Sequence, residues 1–382
     1  MRRVVLGVDS GTQSTKVLAL DVEDGSFCGL GRAPHSGHDT QHPDEWRAAL
    51  RIALAEALMA AGAVEPVAIA VAGQQHGCVL LDEAGRVVRP APLWNNLDAA
   101  PDADRLNTLA DFPTEVGLSL VASITIAKLA HLARTEPETI AKTAAVGLPH
   151  DWLTWRLTGE WITDRGDASG TGWWSPETCR ERRDLLALAV GEQRARSLRL
   201  PRVLGPDDAA GTLAADAAAE LGLPAGILVG AGTGDNMAGA LGLGAATGEA
   251  VVSLGTSGTA YLRTTAPSHD VGGEVSGFAV ATGAFLPLVC LVNCTRVVDS
   301  FAGLLNLDRQ EALARAAALD PGAEGMLLLP LLGGERTPNL PHATGELHGV
   351  TMDNLRPEVL LRAALDGVAA NLAYAVERLS AV

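Results

Sequence analysis

Val4-Val5-Leu6-Gly7-Val8, closed by Asp9, is an apolar run of the length and composition of a buried strand. Ser10-Gly11-Thr12-Gln13-Ser14-Thr15 is small and polar and reads as a turn, and residues 16–21 read as a returning strand. The pattern recurs late in the chain. Ala250-Val251-Val252-Ser253-Leu254 reads as a strand, Gly255-Thr256-Ser257-Gly258-Thr259 as a turn, and Ala260-Tyr261-Leu262-Arg263 as its return. Both copies place a Gly-Thr-x-x-Thr turn between two strands, and each opens one half of the chain. This echo predicts two domains, 1–246 and 247–382, divided at the glycine-rich passage Gly242-Leu243-Gly244-Ala245-Ala246-Thr247-Gly248.

Between the hairpins, helical and strand patterns alternate. His42-Pro43-Asp44-Glu45 marks a helix start with proline in the first turn, and the helix continues over 46–61. Residues 67–72 read as a buried strand ending in the Gly73-Gln74-Gln75-His76-Gly77 turn. Residues 78–81 and 87–88 flank Asp82-Glu83-Ala84-Gly85 as a small hairpin. Helices are expected over 123–134, 149–157, 181–190 and 357–379, and a short strand over 227–230 leads into Gly232-Thr233-Gly234-Asp235. Such alternation predicts α/β layers and excludes a pure sandwich or bundle.

Composition narrows the function classes. The 382 residues are 47% hydrophobic with only 4% aromatics and 42 glycines, which suits a globular α/β chain. A formal charge of −16 argues against a nucleic-acid partner, since phosphate neutralisation needs clustered Lys and Arg. The five cysteines (Cys28, Cys78, Cys179, Cys290, Cys294) lack CxxC spacing, so reduced thiols and a cytoplasmic location are expected. Cys290 and Cys294 have the spacing of one helical face, but two thiols make a poor zinc site. The apolar run after Met1-Arg2-Arg3 is too short for a signal peptide. No uninterrupted apolar stretch approaches about 20 residues, so no membrane partner is expected.

A Gly-Thr turn between strands exposes backbone N–H groups and hydroxyls that can wrap phosphate oxygens with little positive charge. Gly11-Thr12-Gln13 and Gly255-Thr256-Ser257 are therefore candidate phosphate clamps, with Lys16 as a nearby cation. An ordinary hairpin needing small residues is the alternative for either turn alone. Asp9, at a strand end, has the chemistry to hold Mg²⁺ through water. Asp235 is compatible with a helix N-cap and equally with a base that accepts a hydroxyl proton during phosphoryl transfer. Gln75 and His76 follow a strand, where α/β sheets place ligand loops, and offer the neutral donors and acceptors that a polyol or ketose requires. His76 also suits a purely structural turn. Trp94, followed by Asn95 and Asn96, suits either a sugar wall or the core, whereas Trp152, Trp155, Trp173 and Trp174 are expected to pack.

These segments together resemble the FGGY carbohydrate kinases, and within them the members that phosphorylate D-xylulose. The resemblance is carried by Val8-Asp9-Ser10-Gly11-Thr12-Gln13-Ser14-Thr15-Lys16, Ala72-Gly73-Gln74-Gln75-His76-Gly77 and Leu93-Trp94-Asn95. It continues through Leu148-Pro149-His150-Asp151-Trp152-Leu153, Asp164, Asp167-Ala168-Ser169-Gly170-Thr171 and Gly234-Asp235-Asn236. Ser253-Leu254-Gly255-Thr256-Ser257-Gly258 and Gly334-Glu335-Arg336-Thr337-Pro338 extend it to the second half.

The resemblance implies two ribonuclease-H or actin-like domains flanking a catalytic cleft. It implies Asp235 as catalytic base, Asp9 and Asp235 near Mg²⁺, and Gly11, Thr12, Gln13, Gly255, Thr256 and Ser257 on the ATP phosphates. Gln75, His76, Asp235 and Asn236 would contact the sugar. The implied reaction converts D-xylulose and ATP to D-xylulose 5-phosphate and ADP, and a homodimer is implied by the family alone. Gln75 stands where many members carry methionine, and Asn96 departs from a more usual aspartate; both bear on substrate choice, leaving another pentulose, a hexulose or a polyol as alternatives. Val359 occupies a normally polar place, and Glu335 and Arg336 are read as a structural ion pair near a loop rather than as ligand contacts. Family members continue beyond the equivalent of Val382, so the second domain is expected to be shortened, and a sugar-binding remnant with little kinase activity is the further alternative.

Overall fold

The computed structural model describes residues 1–382, which fall into two compact units: 1–244 with 277–285, and 245–276 with 286–382. Residues 277–285, assigned above to the second domain, thus cluster with the first. Unit one is built on a mixed sheet. Strands β1 (Arg2–Ser10), β2 (Ser14–Asp21) and β3 (Phe27–Pro34) form an antiparallel meander. On the other side of β1 the sheet continues in parallel through Val64–Gly73 and Leu228–Gly230 and ends on antiparallel Ala209–Thr212. The short strand Thr233–Gly234 also pairs with the end of Val64–Gly73.

Inward positions alternate as the sequence requires: Val4, Leu6 and Val8 of β1, Val17 and Ala19 of β2, and Ile69 and Val71 are buried in one cluster. Helix α1 (Pro43–Ala61) covers this cluster with Trp46, Ala49, Leu50, Ala53, Leu54 and Ala57. Its start is as the sequence indicates, with Pro43 in the first turn and the His42 side chain accepting from the Asp44 N–H. Trp46 and Trp152 meet edge-to-face at 6.2 Å, so Trp152 is a core residue, and Trp173 and Trp174 are buried as well.

Strand β3 has no counterpart in the sequence reading. Its inward residues are Gly29, Gly31 and Ala33, a small-residue face and not an apolar one. The reason is the closeness of α1: a Cβ on Gly31 would stand 1.9 Å from the Ala53 carbonyl oxygen, and one on Gly29 2.3 Å from that of Ala57. Helix and strand approach to a distance that only these residues permit.

Unit two carries the second hairpin, Ala250–Leu254 antiparallel to Gly258–Leu262, which in turn pairs antiparallel with Phe285–Leu291. The two hairpins echo one another imperfectly. Pairing resumes at Ser10 and Thr15 in the first, leaving 11–14 as the turn, but at Leu254 and Gly258 in the second, leaving 255–257. Cys290 lies in a strand and Cys294 caps the helix Thr295–Leu304, so they do not share the helical face considered above. The helix Pro357–Ser380 is long and apolar enough, by length and composition, to cross a bilayer, although Arg362 and Asp366 interrupt its apolar run. Its Val359, Ala363, Ala364 and Val368 pack with Cys294, Val297 and Met326, and its Ala375 and Leu379 with Ala260, Val289 and Leu291. It is the core helix of unit two. Glu335 is structural, as expected: its buried carboxylate accepts from the N–H groups of Val292 and Asn293 and from the Asn371 amide.

Replacing Gly31 by valine is expected to destabilise the protein by about 1–3 kcal/mol through overpacking against α1. Leu30→Ala, on the opposite and largely exposed face, should stay within about 0.5 kcal/mol. Urea unfolding midpoints check both; equal effects would refute the close-approach account of β3.

Candidate active site

Three loops leave the same end of the unit-one sheet. Asp9 aligns with Ala72 and Ser10 with Gly73 across the parallel pair, while Thr233 and Gly234 align with the same Ala72 and Gly73 from the other side. The turn after β1, the Gln74-Gln75-His76 segment and Asp235 therefore start from one level of the sheet, at the carboxyl ends of strands, where α/β proteins place ligands. Gln74 anchors the arrangement by donating its backbone N–H to the Ser10 carbonyl at 2.9 Å.

The first turn is braced from several sides. Gly11 donates its N–H to the Ser14 carbonyl at 3.1 Å, Gln41 donates to the Thr12 carbonyl at 2.7 Å, and Trp94 Nε1 donates to Thr12 Oγ1 at 2.8 Å. Trp94 is thus neither a free wall nor pure core but a brace for the turn. Gln13 stays exposed. Lys16 Nζ sits 2.8 Å from Asp9 Oδ2, with both side chains about half exposed, so this amine first neutralises Asp9. The second turn, in unit two, is pinned differently: Gly255 accepts at its carbonyl from the backbone N–H of Thr295 at 3.1 Å and from its hydroxyl at 2.8 Å, at the start of the helix Thr295–Leu304. Thr256 is exposed.

Asp235 is the first residue of the helix Asp235–Gly242, with Gly234 in the cap position, so the N-cap role weighed above passes to its neighbour. Its Oδ1 accepts from the Asn236 backbone N–H at 2.8 Å and from the Asn236 amide at 3.0 Å. The same amide donates to Gln75 Oε1 at 2.9 Å, joining the Gln75 segment to the Asp235 helix. Part of Asp235 still reaches solvent, yet protein surrounds the carboxyl closely. Desolvation pushes its pKa up to about 7; the Asn236 N–H works against this, and the charges of Asp167 and Asp9 reinforce it.

His76 is buried, its ring 5.1 Å from that of Phe278. A Cβ on Gly170 would fall 1.9 Å from His76 Cε1, so the Ser169-Gly170-Thr171 segment seats the ring. Behind it lies a cluster that residue-by-residue reading did not single out. Asp167 Oδ2 lies 2.6 Å from His150 Nδ1 and its Oδ1 3.6 Å from His76 Nδ1. Asp151 and Asp164 stand 3.4 and 3.8 Å from the His150 ring. Asp164 caps the short helix Arg165–Ala168 and accepts from Thr233 at 2.7 Å. The only signal in the sequence was that His150, Asp151, Asp164 and Asp167 fall within family-like motifs.

Burial opposes a charge on His150, but Asp151, Asp167 and Asp164 outweigh it and raise the pKa to about 9. Asp151 is pushed up to about 7, chiefly by burial. Burial would raise Asp167 too, but the two histidines hold it below the usual carboxylate range. His150, Asp151 and Asp167 bring ligand atoms within 4.8 Å of one another, a spacing a metal accepts. Within it, His150 Nδ1 and Asp167 Oδ2 are hydrogen-bonded and Asp151 and Asp164 are held to His150 by charge alone, so the cluster reads as a buried charge network. Asp9 and Asp235 carry hard oxygen atoms of the kind Mg²⁺ prefers, and the charge of Asp9 opposes ionisation of Asp235.

Folding raises the His150 pKa above its ordinary 6.5, so its stabilising contribution is complete below about pH 6.5 and is lost as pH climbs through about 9. Asp151, also raised, acts with the same sign. The melting temperature is therefore expected to fall steadily from pH 6.5 to 9.5, and to fall less in His150→Gln. A flat or rising profile in the unaltered protein would contradict this assignment.

Comparison with known proteins agrees with the architecture. Residues 4–242 match the N-terminal domain of the FGGY family of carbohydrate kinases and residues 250–382 its C-terminal domain. The chain is 46% identical over 385 residues to the xylulose kinase of Streptomyces rubiginosus, covering 98% of this chain and 76% of that protein. It is 33% identical over 380 residues to the xylulose kinase of Escherichia coli K12, covering 96% and 77%. Among solved structures, xylulose kinase from Bifidobacterium adolescentis superposes with a TM-score of 0.88 at 38% identity, over 100% of this chain and 82% of that one. Both domains carry the ribonuclease-H or actin-like architecture, and the chain belongs to the FGGY family of carbohydrate kinases.

Proposed function

We propose that the chain catalyses ATP-dependent phosphorylation of D-xylulose to D-xylulose 5-phosphate, with Asp235 as the general base. The observation that carries this reading is the Asp235 carboxyl itself. It is desolvated, held in one orientation by Asn236 and tied through that amide to Gln75. A general base works best with a pKa near the working pH, and burial brings this one to about 7. The xylulose kinases of Streptomyces and Escherichia coli, similar along nearly the whole chain, support the choice of sugar.

In this reading the terminal hydroxyl of the sugar gives its proton to Asp235 as its oxygen forms a bond to the γ-phosphorus, and ADP departs. Gln75, His76 and Asn236 orient the sugar. Gly11, Thr12 and Gln13, and in unit two Gly255, Thr256 and Ser257, would bind phosphate oxygens through backbone N–H groups and hydroxyls. Lys16 supplies local positive charge that the −16 chain otherwise lacks. Mg²⁺, held by Asp9 and Asp235, would supply neutralisation of phosphate charge. The proposal includes a cytoplasmic location, no nucleic-acid or membrane partner and, from family likeness, a homodimer.

A coupled ADP-release assay over pentuloses, hexuloses and polyols is expected to give the highest kcat/KM with D-xylulose; a preference for another sugar would reassign the substrate and leave the kinase chemistry in place. Asp235→Asn should lower kcat by about 10²–10⁴-fold, the usual worth of a general base. The same change replaces a desolvated acid by a neutral isostere, so at pH 8 the variant should melt no lower than the parent. Undiminished turnover would remove Asp235 from the chemistry. His76→Ala should weaken D-xylulose binding by about 1–3 kcal/mol, for one lost buried partner, without altering ATP affinity. A change in ATP affinity alone would misplace the sugar pocket.

A further inference from the structure

Asp167 occupies a position between two imidazoles. It lies 2.6 Å from His150 Nδ1 through one oxygen and 3.6 Å from His76 Nδ1 through the other, and all three residues are buried. The first contact is a charge-assisted hydrogen bond. The second is longer than a hydrogen bond, a separation at which the charge still orients the ring. Asp167 is itself fixed, because its own N–H and that of Gly166 are donated to Asp164, which also accepts from Thr233. Thr233 stands in the strand that delivers Asp235.

We propose that His150 is a positioning residue for sugar binding: by keeping Asp167 an ionised acceptor, it holds the His76 ring with its Nδ1 proton toward Asp167 and leaves Nε2 to accept from a substrate hydroxyl. The argument is one of donors and acceptors. An isolated carboxylate at this depth cannot remain charged, since burial without a partner favours the neutral acid. A neutral Asp167 would carry a proton of its own and could donate to His76, reversing the tautomer that the site presents. His150 prevents this by direct pairing. Its own charge is balanced by Asp151 on the same helix and by Asp164 on the segment opposite. The ring it governs has little freedom to answer in another way, being wedged between Gly170 and Phe278. His150 makes no contact with substrate in this scheme; it acts two residues away.

The proposal rests on the reading of His76 as a sugar contact, and a double-mutant cycle separates the two. D-xylulose is titrated calorimetrically into the purified full chain, unaltered and as His76→Ala, His150→Gln and the double variant, with ATP titrated in parallel. Each single change is expected to weaken sugar binding about tenfold, the loss typical of one buried polar partner. The double variant should bind no more weakly than His76→Ala, and ATP affinity should hold throughout. Coupling of this kind is what a residue acting through His76 must show, and a general packing defect would not. Full additivity of the two changes would overturn the proposal. Unaltered sugar binding in His76→Ala would instead end the sugar-contact reading and the proposal with it. Should His150→Gln fail to fold, Asp167→Asn, which keeps the shape and removes the charge, takes its place in the cycle. Failure of both to fold would overturn the proposal, since the cluster would then serve folding.

Discussion

Parallel pairing forces strand ends to a common level, and in unit one that constraint decides where chemistry can occur. With Ser10 opposite Gly73, and Gly234 opposite the same Gly73, three separate chain segments must turn at one edge of the sheet. The residues that follow those ends are the Gly11-Thr12-Gln13 turn, the Gln75-His76 segment and Asp235. A slip of one residue in either pairing would send alternate side chains to the other face and scatter the group. The register is protected by the apolar alternation of β1 and of Val64–Gly73, whose inward residues fill the core under α1. Packing on one side of the sheet thus fixes geometry at its end.

Placing polar groups at that edge has a cost that the fold offsets locally. Asp151, Asp164 and Asp167 are all deeply buried, and three carboxylates cannot be ionised there together without a cation. His150 is the cation, and backbone N–H groups at the start of the helix Arg165–Ala168 take most of the remaining acceptor capacity of Asp164. The network is anchored by groups from four stretches of chain, so it also ties those stretches together. Rigidity behind the Gln75-His76 segment and charge balance within the core are one arrangement seen from two sides.

Much of this was legible in the sequence, for identifiable reasons. The hairpins at 4–21 and 250–263 and the helices beginning at Pro43, Pro149 and Pro357 carry local signals, namely apolar runs, Gly-Thr turns and proline in the first turn, and the structure has them close to the expected bounds. Asp235 stood out because glycines surround a lone carboxylate. Strand β3 did not, because the approach of α1 demands glycine where a strand normally shows an apolar face. Nor could local reading reveal that Trp94 braces Thr12, or that Asn236 links Asp235 to Gln75, since these partners are separated by long stretches of chain and meet only through the sheet. The charge network was hidden for the same reason: His150 and Asp167 each look like an ordinary polar residue until the fold brings them to His76.

The same logic separates what stability favours at Asp235 from what the proposed base role requires. A carboxyl at a helix start would normally sit in water or accept several N–H groups, and its pKa would fall. Here it accepts from Asn236 alone among backbone donors, faces the charges of Asp9 and Asp167, and has its acidity weakened by burial. Burial and the two charges disfavour the ionised form in the folded chain, and they outweigh the opposing pull of Asn236. A proton acceptor needs that disfavour, because a carboxylate at ease in its surroundings is a weak base. The disfavour is confined to one side chain, while Asn236 holds that side chain and is itself bonded to Gln75 Oε1. In the proposed role of base, a carboxyl kept poorly solvated but oriented by the Asn236 amide would combine reactivity with fixed geometry.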